Sequence, residues 1–199
     1  MFTKPVSQPC LRNQEPIFQV IKTYLELPGD LLEIGCGTGQ RAVYLSERLP
    51  HIHWQASDVE AALEGANMWI AENEQLPAAI EVNIENMDWY KSVKQPIQYA
   101  YSANVVHFVP DLLVQSMFKG LGEIITVNGY LFLYGPYNQN GFTSEGNASL
   151  DAWLKADIHP MAGIKELNDI EDIAKKNNFK LIDNHKLPAN NHLLVFIKI

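Results

Sequence analysis

Apolar residues fall into short continuous runs and into longer stretches of helical spacing, and the two kinds alternate along the chain. Residues 31–34, 52–57, 79–82, 97–103 and 130–134 are short runs rich in Ile, Leu, Val and aromatic side chains, bounded by Pro, Gly, Asn or Asp, and read as buried strands. Between them, Ile17, Val20, Ile21, Tyr24 and Leu25 make one helical face. Ala42, Val43, Leu45 and Leu49 make a second, Leu63, Ala66 and Ile70 a third, and Leu112, Leu113, Met117 and Leu121 a fourth. Asn13 is a candidate cap for the first helix, with Glu15 and Pro16 in its first turn, and residues 1–12 read as irregular. Asn128-Gly129 predicts a turn before the strand at 130, and residues 138–147, rich in Asn and Gly, predict a loop that is a candidate lid. Helices at about 149–156 and 168–177 follow, then strands at 179–183 and 192–199. The alternation predicts an α/β fold, a largely parallel sheet with helices on both faces, closed by an antiparallel edge hairpin.

Within this pattern one stretch carries chemistry: Glu33-Ile34-Gly35-Cys36-Gly37-Thr38-Gly39-Gln40. A buried run that breaks into three alternating glycines and then a helical pattern reads as a strand, a tight turn and a helix N-terminus. That arrangement brings backbone N–H groups against a ligand. Glu33 lies inside the apolar run, where a carboxylate is costly to bury unless something hydrogen-bonds it. A phosphate-binding loop needs Lys-Ser or Lys-Thr after its glycines, and none follows. A dinucleotide fingerprint needs Gly or Ala where Gln40 stands, which disfavours NAD. Asp58 ends the second strand nineteen residues beyond Gly39, about where α/β nucleotide sites place a carboxylate on a ribose. It can also cap the helix that follows. Asn83, at the exit of the third strand, can meet an adenine or make a turn. Asn104 and His107 follow the fourth strand at the sheet edge where open α/β folds bind ligands.

The glycine stretch resembles motif I of the class I S-adenosylmethionine-dependent methyltransferases, E-x-G-x-G-x-G, matched by Glu33, Gly35, Gly37 and Gly39. Over nearly its full length the chain also resembles a small methyltransferase family of unknown function that includes the methyltransferase-like protein 26 group. The resemblance rests on Arg12-Asn13-x-Glu15-Pro16-Ile17, on the glycine stretch, and on Trp54-Gln55-x-Ser57-Asp58 and Asn104-x-x-His107. Tyr134-Gly135-Pro136-Tyr137 and Leu187-Pro188-Ala189-Asn190-Asn191 complete it. It implies a Rossmann-like class I methyltransferase fold with a mostly parallel seven-stranded sheet. It further implies S-adenosylmethionine binding, for which the candidate contacts are Arg12, Asn13, Glu33, Gly35, Gly37, Gly39, Asp58, Asn83 and Asn104, with Asn83 standing where many class I enzymes carry Asp. The chain departs from the family pattern at Arg41, where His is expected, at Ala56 in place of Pro, and at Lys165-Glu166 in place of Arg-Asp.

Composition narrows the reading. At 199 residues, 47% hydrophobic and 19% charged, the chain suits one buried α/β domain spanning residues 1–199. Its apolar runs are too short to cross a bilayer, and no secretory signal is visible. Cys10 and Cys36 make neither a disulfide framework nor a metal spacing, and a reducing cytoplasm is expected. A net charge of −8 opposes binding to nucleic acid or anionic membrane. His51-x-His53 and the other histidines lack metal-ligand spacing, so no metal is predicted, and no G-x-S-x-G elbow supports a hydrolase. Oligomeric state is not legible.

Methyl transfer from a sulfonium is an in-line displacement that needs a positioned acceptor and few catalytic groups. His107 is the candidate base, with a reference pKa near 6.5; the alternative is a helix cap or a hydrogen-bonded wall residue. Tyr134, Tyr137, Asn190 and Asn191 are candidate acceptor contacts at the same rim. The leading expectation is a methyltransferase acting on a small molecule or a protein. The alternative is a non-catalytic binding module that keeps the fold and regulates a partner.

Overall fold

Residues 3–199 are described by a computed structural model. Its strands are β1 (Gly29–Ile34), β2 (Ile52–Asp58), β3 (Ile80–Glu81), β4 (Ile97–Ala103), β5 (Ile125–Pro136), β6 (Phe179–Leu187) and β7 (Asn191–Lys198). They form one sheet in the order β3-β2-β1-β4-β5-β7-β6. The first five pair in parallel, β7 runs antiparallel between β5 and β6, and the result is the Rossmann-like methyltransferase fold expected above. The order reverses between β1 and β4, so a crevice opens at the C-terminal ends of those strands.

The helices are α1 (Gln8–Ile21), α2 (Gln40–Arg48), α3 (Glu60–Ile70), α4 (Val105–Phe108), α5 (Asp111–Ile124), α6 (Glu145–Trp153) and α7 (Leu167–Lys176). Strand alternation sends Leu31, Trp54, Tyr101 and Phe132 to one face, where Ile17, Ile21, Leu45 and Ile70 of α1, α2 and α3 complete a core. Leu32, Ile34, Ala100 and Leu133 face the other way, onto Met117, Phe118 and Leu121 of α5 and Ile170 and Ala174 of α7. Between β3 and β4 the helical layer shrinks to a single 3-10 turn, Trp89–Ser92. Among the described residues no helix is long and apolar enough to cross a membrane.

Several boundaries differ from expectation. Asn13 caps nothing: α1 begins five residues earlier, at Gln8, and its cap is Ser7, whose hydroxyl accepts the Cys10 N–H. Pro16 therefore lies inside the helix and removes the N–H that would bond the Arg12 carbonyl. Asn128-Gly129 is not a connecting turn, because β5 already starts at Ile125. Gly129 serves the close approach of Gln98 where the β4–β5 register shifts. The predicted lid is shorter and tied down. Helix α6 begins at Glu145 under a Ser144 cap, and the Glu166 carboxylate accepts the N–H groups of Asn140 and Gly141 at 2.9 and 2.8 Å.

Candidate active site at the glycine turn

Strand β1 ends at Ile34, and the next five residues turn sharply into α2. Gly35, Gly37 and Gly39 all adopt left-handed φ, of 75°, 58° and 79°, a conformation that L side chains rarely tolerate. Each is glycine for a different reason. A Cβ on Gly35 would collide with the Val105 side chain, and one on Gly39 would sit 2.6 Å from the Ala66 carbonyl. A Cβ on Gly37 would meet nothing within 4 Å. Gly37 thus faces open space, the side from which a ligand can approach the backbone.

That space is a cavity of about 340 Å³, walled by Ile34, Gly35, Gly37, Asp58, Val82, Ile84, Asn104 and Val105 and bounded by Phe108. Asp58 spans the gap between turn and strand. Its carboxylate accepts the Gly37 N–H at 2.7 Å and the Val59 N–H at 2.8 Å. It does not cap α3, whose cap residue is Val59, without a side-chain bond. Burial pushes the Asp58 carboxyl above its usual range, and the two backbone donors pull it back. Asn104 stands in the cavity wall in a left-handed conformation. Asn83 is turned to local use, its carboxamide oxygen accepting the Glu85 N–H, while its neighbours Val82 and Ile84 line the cavity.

Behind the turn, on the α1 face, lies Glu33, fully buried. Trp54 Nε1 donates to Glu33 Oε2 at 2.8 Å, the local support that a buried carboxylate needs, but Oε1 has no partner. Burial pushes this carboxyl up to about 7, against the pull of Arg41 and the Trp54 bond. Arg41, only 6% exposed, keeps its charge. Burial opposes the guanidinium, but Tyr101, Cys10, Glu33 and Tyr134 around it hold its pKa above the usual value. Arg12 lies exposed on α1, within electrostatic reach of Tyr134, and Asn13 follows it on the same helix. Gln40 ties the end of α1 to the turn by accepting the Ser7 N–H at 2.6 Å.

Three expectations at the rim need correction. His107 is 3% exposed and packs against Gly135, and burial with the nearby Lys165 drives its pKa down to about 3. It is a buried, neutral residue and a weak base, because an imidazolium there would be desolvated beside another cation. Tyr137, 1% exposed, packs edge-on against His192, and its hydroxyl is buried without a partner. It belongs to the core rather than to the open cavity. Asn191 pairs with Pro136 at the end of β5, so the hairpin tip does reach the His107 rim. Its amide, however, donates to the Pro188 and Ala189 carbonyls, and Asn190 supplies the second left-handed residue of the tight turn.

The residues that sequence reasoning missed are Trp54 and Tyr101, which converge on Glu33. Tyr101 is its direct neighbour in the β1–β4 register. No local signal marks that register.

Solved structures share this fold, among them the following three. An O-methyltransferase family protein from Burkholderia thailandensis superposes with a TM-score of 0.81 at 11% identity, over 94% of this chain and 57% of that one. The S-adenosylmethionine-dependent methyltransferase SibL in its apo form gives 0.78 at 15% identity, over 94% and 55%. Human N-acetylserotonin methyltransferase in complex with SAM gives 0.78 at 12%, over 94% and 51%. The chain therefore spans about half the length of the structures it matches. At such identities the likeness establishes the fold, which is that of the S-adenosylmethionine-dependent methyltransferases. Sequence supplies the closer kinship: residues 4–198 match the family described as a protein of unknown function, DUF938, and the chain belongs to that family.

Proposed function

We propose that the protein is an S-adenosylmethionine-dependent methyltransferase whose cofactor lies across the glycine turn and whose acceptor is a small molecule or a protein side chain. The observation that carries this reading is Gly37, left-handed and open to a cavity that the adjoining Asp58 carboxylate also lines. A backbone held in that conformation, with no side chain filling the space before it, fits a ligand pressed against the turn. The human methyltransferase of the same fold, solved with SAM, supports the same cofactor here.

When bound, the cofactor would supply a sulfonium methyl group for in-line transfer. The chain's own residues position and enclose. Asp58 would accept from the two ribose hydroxyls, and Val82 and Ile84 would offer apolar surface to the base. Asn104 offers both a donor and an acceptor at the strand end. His107, its pKa driven down by burial and by Lys165, packs against Gly135 and is poorly suited to proton removal.

The weak basicity of His107 and the burial of Tyr137 also favour a second reading, a non-catalytic module of the same fold that binds the cofactor and regulates a partner. Calorimetry with S-adenosylhomocysteine tests what the readings share, and transfer of a labelled methyl group into a metabolite and protein extract separates them. Heat with labelled product supports the enzyme, heat without product the module, and no heat at millimolar ligand overturns both.

A further inference from the structure

Residues 137–166, between β5 and α7, leave the sheet and form a structure of their own beside α4. Its base is closed where Asn138 bridges to Glu166, donates its N–H to the Lys165 carbonyl and accepts that of Leu167, both at 2.9 Å. Leu154, Ala162 and Ile164 make a small core inside it, with Leu150 packed against them. The buried Asp151 carboxylate accepts the Ile164 N–H at 2.8 Å and the Lys155 ammonium at 2.6 Å. The Gly163 N–H donates to the His107 carbonyl at 2.9 Å and fixes the excursion to α4. Together these bonds make it a platform, yet what it holds in place is apolar surface in water. Trp153, 45% exposed, stands edge-on to Phe108, 37% exposed, with ring centroids 6.2 Å apart and planes at 75°. Met161, also exposed, lies two residues from the Gly163 bond. Directly after Trp153 the helix widens into a π-helical turn, Leu154–Ile158, a rare form found frequently at functional sites. An exposed apolar patch on so fixed a support adds nothing to folding and marks a place where something binds.

Phe108 belongs to two places at once: it lines the cavity at the glycine turn, and it meets Trp153. The aromatic pair is therefore continuous with the cavity, and an acceptor must lie against the cofactor to receive a methyl group. We propose that Phe108 and Trp153 read the acceptor, and that it is an uncharged small molecule with a flat aromatic ring, packed on this pair. This rests on the methyltransferase reading above and narrows its acceptor to one chemical class. Aromatic faces and edges favour another ring over a saturated skeleton of similar size, through the quadrupoles of the π systems. Both lysines of the platform are engaged, Lys155 with Asp151 and Lys165 with Asp111, each at 2.6 Å, so neither is left to receive an anionic acceptor. Two rings are a footprint for one ring system, far below the roughly 800 Å² that each partner commits to a stable protein interface. Phe108 also follows β4, an interior strand of the sheet, so the pair offers no strand edge to an extended peptide.

Calorimetry on the full chain tests the assignment with 2-naphthol, a flat ring system, and decahydro-2-naphthol, its saturated counterpart. Each is titrated in the presence of saturating S-adenosylhomocysteine. The parent should bind 2-naphthol about 3- to 12-fold more tightly than the saturated probe, the ratio expected for an aromatic pair. Trp153→Leu keeps an apolar side chain without the ring. It should bring that ratio to about one, while affinity for S-adenosylhomocysteine stays within about twofold. Equal parent affinities for the two probes, or a ratio that survives Trp153→Leu, would overturn the proposal. Labelled methyl groups found in protein rather than in an aromatic low-molecular-weight product would overturn it too. S-adenosylhomocysteine titrated alone separates the two readings. Heat from it with none from 2-naphthol overturns only this inference, whereas no heat from it at millimolar concentration overturns the cofactor reading and this inference together. Should Trp153→Leu not fold, NMR on the parent decides. Contacts between 2-naphthol ring protons and the Trp153 indole support the assignment, and contacts confined to other residues overturn it.

Discussion

At the N-terminal edge of the parallel strands, Asp30, His53, Lys94, Val93 and Ile97 surround a cavity of about 780 Å³; at the C-terminal edge, the glycine turn opens onto one of about 340 Å³. The larger space lies where a single 3-10 turn replaces a helix between β3 and β4. Its ionisable groups are already paired. Asp30 holds Lys94 at 2.9 Å and His53 at 3.3 Å, and the Gln55 amide donates to the Ala56 and Ala78 carbonyls. At the other edge the chain keeps three left-handed glycines and, beside them, a buried carboxylate and guanidinium with unpaired atoms. Volume can follow from loose packing, whereas strain and unpaired polarity oppose folding and persist where a ligand makes use of them. The smaller cavity is therefore the one we propose as functional.

The largest effect should come from Gly37→Val. A branched side chain at φ 58° fills the open side of the turn, so S-adenosylhomocysteine binding should fall below detection in calorimetry. Circular dichroism should still report a folded protein, destabilised by about 1–2 kcal/mol. Next, Asp58→Ala should weaken the same ligand by about 1.5–3 kcal/mol, roughly 10- to 150-fold, the value of a charged hydrogen-bond acceptor. Unchanged affinity would reduce Asp58 to a tether for the Gly37 N–H. At the opposite edge, Lys94→Ala breaks a largely exposed ion pair and should shift stability in urea by no more than about 0.5 kcal/mol, with cofactor affinity intact. A cofactor defect in that variant would break the distinction between the two cavities.

A smaller effect concerns pH. Between the ordinary carboxyl value of 4.5 and about 7, the folded state holds a proton on Glu33 that the unfolded chain has released, so stability falls as pH rises through that interval. His107 acts in the opposite direction. Between about 3 and 6.5 the unfolded chain binds a proton that the buried imidazole does not, so stability falls as pH drops. Arg41 faces Glu33 with a constant charge across this range. Glu33→Gln can still accept from Trp54 and removes only the first slope. Its urea midpoint should rise more from about pH 5 to about pH 7 than the parent's does. Identical slopes in the two proteins would mean that Glu33 ionises normally.

What was legible in the sequence is what is local. Gly35, Gly37 and Asp58 announce themselves because a strand exit, a left-handed turn and a strand-end carboxylate each need particular residues within a few positions. The strand alternation and the closing hairpin follow from hydrophobic period in the same way. Convergence from distant segments was not legible. Tyr101 meets Glu33 only through the β1–β4 register, and Arg41 is buried beside them, near Cys10 on α1. The start of α1 was not legible, because Asn13 and Pro16 mimic a helix start, whereas the helix begins under Ser7 and runs through that proline. The basicity of His107 depended on burial, which a reference pKa does not contain.

The central claim is that a nucleoside cofactor lies across the end of β1, and the most direct measurement is a crystal structure grown with S-adenosylhomocysteine. The account predicts ligand density over Gly37, with the ribose hydroxyls within hydrogen-bond distance of the Asp58 carboxylate. Density in the cavity around Asp30 and Lys94, or an unaltered glycine turn at saturating ligand, would contradict it.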